Sequence, residues 1–69
     1  MKYDMRTYVD QFPKKIQEGI RNAVIRNLRK DEVPEREIKK ALPRAMTSRI
    51  GDLDEIINVK YWLNKANKR

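Results

Sequence analysis

Residues 13–30 read PKKIQEGIRNAVIRNLRK, and the spacing of apolar residues in this stretch decides the fold class. They recur every three or four positions, and at about 100° per residue they form one stripe of about 120° on a helix. Pro13 suits the first turn, where a missing N–H costs nothing. Gly19 lies beside the stripe, where it either allows a close helix crossing or is incidental. We predict a helix from Pro13 to about residues 29–31, whose stripe faces the core: Ile16, Ile20, Ala23, Val24 and Leu28.

A second helical pattern follows Pro34. Its apolar residues keep one phase on both sides of Pro43, although a proline inside a helix removes a backbone hydrogen bond and normally causes a kink. We predict one helix over residues 34–49 that is kinked at Pro43, or two nearly collinear pieces, with Gly51 as the C-terminal stop. The apolar face consists of Ile38, Ala41, Leu42, Ala45, Met46 and Ile50.

Both ends of the chain allow either a helix or a strand. Residues 4–12 carry apolar residues on one helical face, but residues 2–9 also alternate as in a strand. Asp52 suits the N-cap of a last helix over residues 52–65, although its apolar stripe changes face after residue 57, and residues 56–63 alternate as well. We predict a helix at each end and keep the two strands, which would pair, as the alternative.

These patterns predict an all-α fold, a small three- or four-helix bundle that residues 1–69 form as one domain. A chain of this size seldom gains more than about 3–5 kcal/mol from its core. Because the chain has no Cys and no His, it lacks a disulfide and the usual ligands of structural zinc. Helix packing or self-association must therefore stabilise the fold. The predicted core contains Phe12, Ile16, Ile20, Val24, Leu28, Ile38, Leu42, Met46, Ile50, Leu53, Ile57 and Trp62.

The composition argues against catalysis. His is the commonest acid–base residue and Cys the strongest nucleophile, and both are absent. The acidic pairs lie at predicted helix ends, where they suit the helix dipole, and the two glycines are too isolated to form a phosphate loop. We expect no enzymatic activity, no cofactor and no metal.

No apolar run approaches the ~18 residues of a membrane span, and residues 1–10 lack the apolar region of a signal peptide, so we expect a cytoplasmic protein.

Positive charge is the strongest functional indication in the sequence. Seventeen Lys and Arg stand against ten Asp and Glu, which gives a net charge of +7 at pH 7. Residues 13–30 hold six of these cations and a single acid, Glu18, and residues 59–69 hold four cations and no acid. This imbalance indicates an anionic partner.

The cations of the first predicted helix lie opposite its apolar stripe, and Ile25 lies among them. We predict nucleic-acid binding, to DNA in the first place, through this face, and leave open whether the chain forms a homo-oligomer. The alternative is a protein–protein interaction module for an acidic partner. A membrane-surface helix ranks third, because a core this small needs the apolar stripe. The predicted binding residues are Lys14, Lys15, Arg21, Ile25, Arg26 and Arg29.

Two further features carry expectations. Arg49 falls on the apolar stripe of the second predicted helix, and because buried arginines are rare unless paired, we expect an ion pair with Asp52 or Asp54. The alternative is a functional arginine that is exposed at the mouth of a groove. Residues 60–65 interleave aromatic residues with lysines, a pattern that can stack nucleobases and contact phosphates. The only tryptophan, Trp62, more often closes the core of a small domain.

Overall fold

The computed structural model describes residues 2–68, which form three α-helices and two short 3₁₀ turns. The helices are α1 (Lys14–Lys30), α2 (Glu35–Met46) and α3 (Val59–Asn67). The 3₁₀ turns are Val9–Gln11 and Ile50–Leu53. Because residues 2–68 contain no strand, the predicted all-α class is confirmed, and the architecture fits a small helical bundle. No helix within the described range is both long and apolar enough to cross a membrane.

Two prolines set the starts of α1 and α2. Pro13 and Pro34 have φ angles of −55° and −60° and lie immediately before the helices. Their carbonyls accept helical hydrogen bonds from Gln17 N–H at 2.9 Å and from Ile38 N–H at 3.0 Å. A proline suits this place because it has no N–H to leave unpaired and its φ is already helical.

Four residues connect α1 to α2, and a Schellman motif ends α1 at the start of this connection. Val33 N–H donates to the Leu28 carbonyl at 3.0 Å, and Glu32 N–H donates to the Arg29 carbonyl at 2.9 Å. Glu32 has a φ of 62°, in the left-handed region that glycine usually occupies. This tight turn brings α2 back alongside α1, against which it packs extensively.

Helix α2 continues through Pro43 and ends at Met46, earlier than the predicted boundary at residue 49. Thr47 and Ser48 favour this end, because their hydroxyls donate to the carbonyls of Pro43 and Arg44 at 3.0 and 2.7 Å. Such side chains compete with the helical backbone for its acceptors. The kink at Pro43 stays a prediction.

The helix predicted over residues 4–12 is wrong, and so is the alternative strand. Asp4 and Thr7 instead form a turn in which the Asp4 carboxylate accepts a backbone N–H at 2.8 Å and the Thr7 hydroxyl oxygen accepts Asp4 N–H at 3.0 Å. Tyr8 then makes one isolated antiparallel bridge with Arg49. Side-chain hydrogen bonds to the local backbone outweigh the helical pattern here.

The single helix predicted over residues 52–65 is also wrong, because the chain forms two helical pieces. The second 3₁₀ turn ends at Leu53, and Asn58 starts α3 by accepting Tyr61 N–H on its side chain at 3.2 Å. The change of apolar face after residue 57 marks this break. The strand alternative over residues 56–63 is wrong as well, since α3 begins at Val59.

Gly51 is a point of close approach and does not end a helix as predicted. It lies within the second 3₁₀ turn, and its N–H donates to the Met5 carbonyl at 3.0 Å. A Cβ at Gly51 would lie 2.7 Å from that carbonyl oxygen. The N-terminal segment can therefore pack against this turn only because residue 51 has no side chain.

The N-terminal segment also forms two hydrogen bonds with the end of α3. Tyr3 N–H donates to Asn67 Oδ1 at 2.9 Å, and Asn67 Nδ2 donates to the Tyr3 carbonyl at 3.0 Å. The Tyr3 ring stacks on Phe12 with centroids 4.6 Å apart. These contacts hold α3 at a fixed place beside the rest of the bundle.

The core is a cluster of aliphatic side chains and one phenylalanine. Most predicted members are buried, and Val9 and Val59 join them from the segments whose structure the sequence mispredicted. Four predicted members line the edge of the core and are half-buried: Leu28, Leu42, Met46 and Trp62. The buried residues are Val9, Phe12, Ile16, Ile20, Val24, Ile38, Ala45, Ile50, Leu53, Ile57 and Val59.

Ile20→Ala is expected to destabilise the protein more than Leu42→Ala. Ile20 is 0% exposed, so its truncation leaves a cavity and costs about 2–5 kcal/mol, whereas Leu42 is half-buried and loses fewer contacts. Urea denaturation followed by circular dichroism compares the two free energies of unfolding. Equal losses, or a near-parental midpoint for Ile20→Ala, would contradict this description of the core.

Glu32→Gly is expected to raise the free energy of unfolding by about 1 kcal/mol, because glycine adopts the left-handed region without a Cβ clash. Glu32→Ala is the matched control, since it removes the same charge and keeps the Cβ. Thermal unfolding of both variants measures the difference. A similar gain in the two variants would show that charge, and not backbone conformation, limits stability at this turn.

Candidate functional site

The packing of α1 leaves one of its faces to solvent. Its buried residues, Ile16, Ile20 and Val24, lie on the side that meets the core, and the cations lie on the remaining surface. All six residues predicted as a binding face lie on this helix. Lys14, Lys15, Arg21, Arg26 and Arg29 are exposed, and Ile25 is half-buried.

The cations of this face differ in how far their charge is offset. Arg29 Nε lies 2.7 Å from Glu35 Oε1, and both side chains are 61% exposed. This is the one ion pair within residues 2–68, and at such exposure it adds at most about 1 kcal/mol to stability. The positive charge available to a partner therefore comes mainly from the other four: Lys14, Lys15, Arg21 and Arg26.

Ile25 offers only part of its side chain to a partner, because the protein already covers the rest. None of the large, exposed apolar residues of the described chain lies on α1. The outer face of α1 is therefore mainly cationic, and it suits electrostatic contact better than hydrophobic docking.

A groove between α1 and α2 adds a cation that the sequence analysis missed. Lys39 of α2 lines this groove with Arg21 of α1, and apolar residues of α2, among them Leu42 and Met46, complete it. The short turn between the helices causes this pairing, since it returns α2 along α1. The spacing of apolar residues in the second helix indicates this position, because Lys39 lies beside the apolar stripe that packs against α1.

A second groove lies between α1 and α3, where Gly19 meets Trp62. A Cβ at Gly19 would overlap the indole ring, so the absence of a side chain lets α3 approach α1. This agrees with the predicted close crossing, and Trp62 packs against the core as expected. Arg26 and Tyr61 line the same groove.

The two aromatic residues of α3 differ in exposure, because Trp62 packs against the core and Tyr61 lies at the surface. The Tyr61 and Trp62 rings meet edge to face with centroids 4.9 Å apart, and Tyr61 is 51% exposed. Lys65 Nζ lies 5.6 Å from each ring centroid, within the range of a cation–π interaction. The interleaved sequence of residues 60–65 thus places a half-exposed ring beside a cation.

The ion pair expected for Arg49 is not formed. Arg49 is exposed, and within residues 2–68 no ion pair joins it to Asp52 or Asp54. Its guanidinium carbon lies 5.4 Å from the Tyr8 ring centroid instead. The reason is the early end of α2: Arg49 lies beyond the helix with extended backbone angles, so it does not continue the apolar stripe.

Within the described residues, no cluster of three or more carboxylates is placed to hold a metal ion. No family model matches the chain, and neither a curated protein nor a solved structure matches it. The assignment of a function rests on the surface described above.

Gly19→Ala is expected to destabilise the protein by about 1–3 kcal/mol, although alanine has the higher helix propensity, because the new Cβ collides with the Trp62 ring. Chemical denaturation measures the change. In a Trp62→Ala background the collision is absent, so the same substitution should be neutral or stabilising. A loss of equal size in both backgrounds would show that Trp62 is not the cause.

Proposed function

We propose that this chain is a non-catalytic nucleic-acid-binding protein whose outer α1 face contacts phosphates, in the first place those of DNA. The observation that carries the proposal is the set of exposed cations on α1, which includes Lys14, Lys15, Arg21 and Arg26. Glu18 is the one acid in the sequence of this helix. Lys39 extends the positive surface across the groove to α2.

The net charge of +7 supports a polyanion as the partner. Cations that contact phosphates displace condensed counterions from DNA, and the release of these counterions favours binding at low salt. For each contact, the logarithm of the binding constant therefore falls by about 0.9 for each tenfold rise in salt. A face with several unpaired cations gains most from this effect. The same charge also accelerates encounter with a polyanion at low ionic strength.

An acidic protein is the alternative partner, and the surface supports it less well. Specific protein interfaces usually contain a buried apolar or aromatic centre. The outer face of α1 offers only the half-buried Ile25 for this role. Phosphates need no such centre, since they are bound by charge and hydrogen bonds.

Lys14→Gln combined with Arg21→Gln is expected to weaken binding to a labelled DNA duplex and to reduce the salt slope by about 1.8, or 0.9 for each lost contact. Fluorescence anisotropy across a salt series measures both. Lys40→Gln combined with Arg44→Gln is the matched control. This control removes two exposed charges from α2. Both charges line a groove that also contains Leu53 and Ile56 and that no residue of α1 lines.

The outcomes separate the two partners. Equal losses in the two double variants would mean that binding follows net charge and that α1 is no site. Absence of binding at low salt would discard nucleic acid and leave the acidic protein as the better hypothesis. Light scattering on the same samples gives the mass of the free and bound protein and so tests for a homo-oligomer.

A further inference from the structure

Tyr61 stands between two grooves on the α3 side of the molecule. On one side, Asn22 and Arg26 of α1 line the groove with Tyr61 and Trp62. On the other side, Asn64, Lys65 and Lys68 line the groove with Tyr61. The two grooves therefore share one aromatic side chain, which has a cation of α1 beside it in one groove and a cation of α3 in the other.

The chemistry of these grooves is selective. Among residues 2–68, no carboxylate side chain lines either groove, whereas both grooves contain a cation and an asparagine amide. Cations bind phosphates, amides donate to and accept from the edges of nucleobases, and a half-exposed ring offers a stacking surface. The other exposed aromatic residue within residues 2–68, Tyr8, has over its ring an arginine that lies outside the three helices, Arg49.

We propose that an unpaired base of a single-stranded nucleic acid stacks on Tyr61, with the flanking phosphates at Arg26 and Lys65. This inference rests on the proposed function, because Arg26 belongs to the basic face of α1. It adds the kind of substrate: a nucleic acid with at least one base free of a duplex. In a duplex each base is covered by its neighbours in the stack, so its ring face does not reach Tyr61.

Lys65 is already placed for this role. Its Nζ lies over the rings of Tyr61 and Trp62 and 3.5 Å from the Tyr61 hydroxyl, and the residue is exposed. The long, flexible side chain can move its ammonium group from the ring to a phosphate at little cost, because an exposed cation–π contact is weak. The site therefore needs no rearrangement of the backbone.

Tyr61→Ala is expected to weaken binding of a labelled oligothymidylate by roughly 5- to 150-fold, the loss of one base–aromatic stack, and to leave duplex binding unchanged. Tyr61→Phe keeps the ring and should bind as the parent does. Tyr8→Ala is the matched control, since Tyr8 is also an exposed tyrosine, 42% accessible, with an arginine over its ring. It should bind both ligands normally.

The fluorescence of Trp62 gives a readout that needs no substitution. Trp62 is the only tryptophan of the chain and touches the Tyr61 ring, so a base stacked there should quench its emission as oligothymidylate is added. A duplex of equal charge should change the emission little. This measurement decides the question even if Tyr61→Ala fails to fold.

The results distinguish this inference from the function on which it rests. If the duplex binds through α1, but oligothymidylate binds without quenching or equally well to Tyr61→Ala, the stacking site is wrong and the proposed function stands. Equal losses in Tyr61→Ala and Tyr8→Ala would also overturn the site. If neither nucleic acid binds at low salt, both proposals fail together.

Discussion

The burial of one face of α1 is the constraint on which the rest of the structure depends. The chain has no Cys to form a disulfide and neither Cys nor His to hold a structural zinc, so its stability comes from packing aliphatic side chains such as Ile20 and Val24. Helix α1 is the longest element, and both α2 and α3 pack against it. Because the apolar stripe of α1 must face inward, the cations of α1 lie on the solvent-exposed side. The same sequence period therefore determines both the core and the charged face.

Sequence was a good guide wherever periodicity and proline act together. The starts of α1 and α2 follow Pro13 and Pro34, and the stripe of α1 faces the core as predicted. The stripe of α2 does so as well, except that Ala41 is exposed and Ile50 lies beyond the end of the helix. The exposure of the α1 cations follows from the same period. The five cations and Ile25 lie on the same helix, so their spacing along the sequence is enough to place them relative to its apolar stripe.

The ends of the chain were mispredicted because contacts distant in sequence, and short polar side chains, determine their structure. Asn67 binds the backbone of Tyr3 across nearly the whole chain, and no local pattern contains that bond. Asn58 starts α3 inside a stretch whose apolar residues also fit one longer helix. The juxtaposition of Arg26 with Tyr61 was out of reach for the same reason, since it requires the crossing of α1 and α3.

The crossing at Gly19 links stability to the proposed binding chemistry. The indole of Trp62 lies against Gly19 and closes the edge of the core, and Tyr61, the next residue back along the chain, is left half-exposed beside it. On a helix, successive residues point about 100° apart, so Tyr61 points away from the direction in which Trp62 packs. The structural demand for Trp62 thus places Tyr61 between the cations of α1 and α3. The two aromatic residues have separable roles: loss of Trp62 removes packing, whereas loss of Tyr61 removes mainly exposed surface.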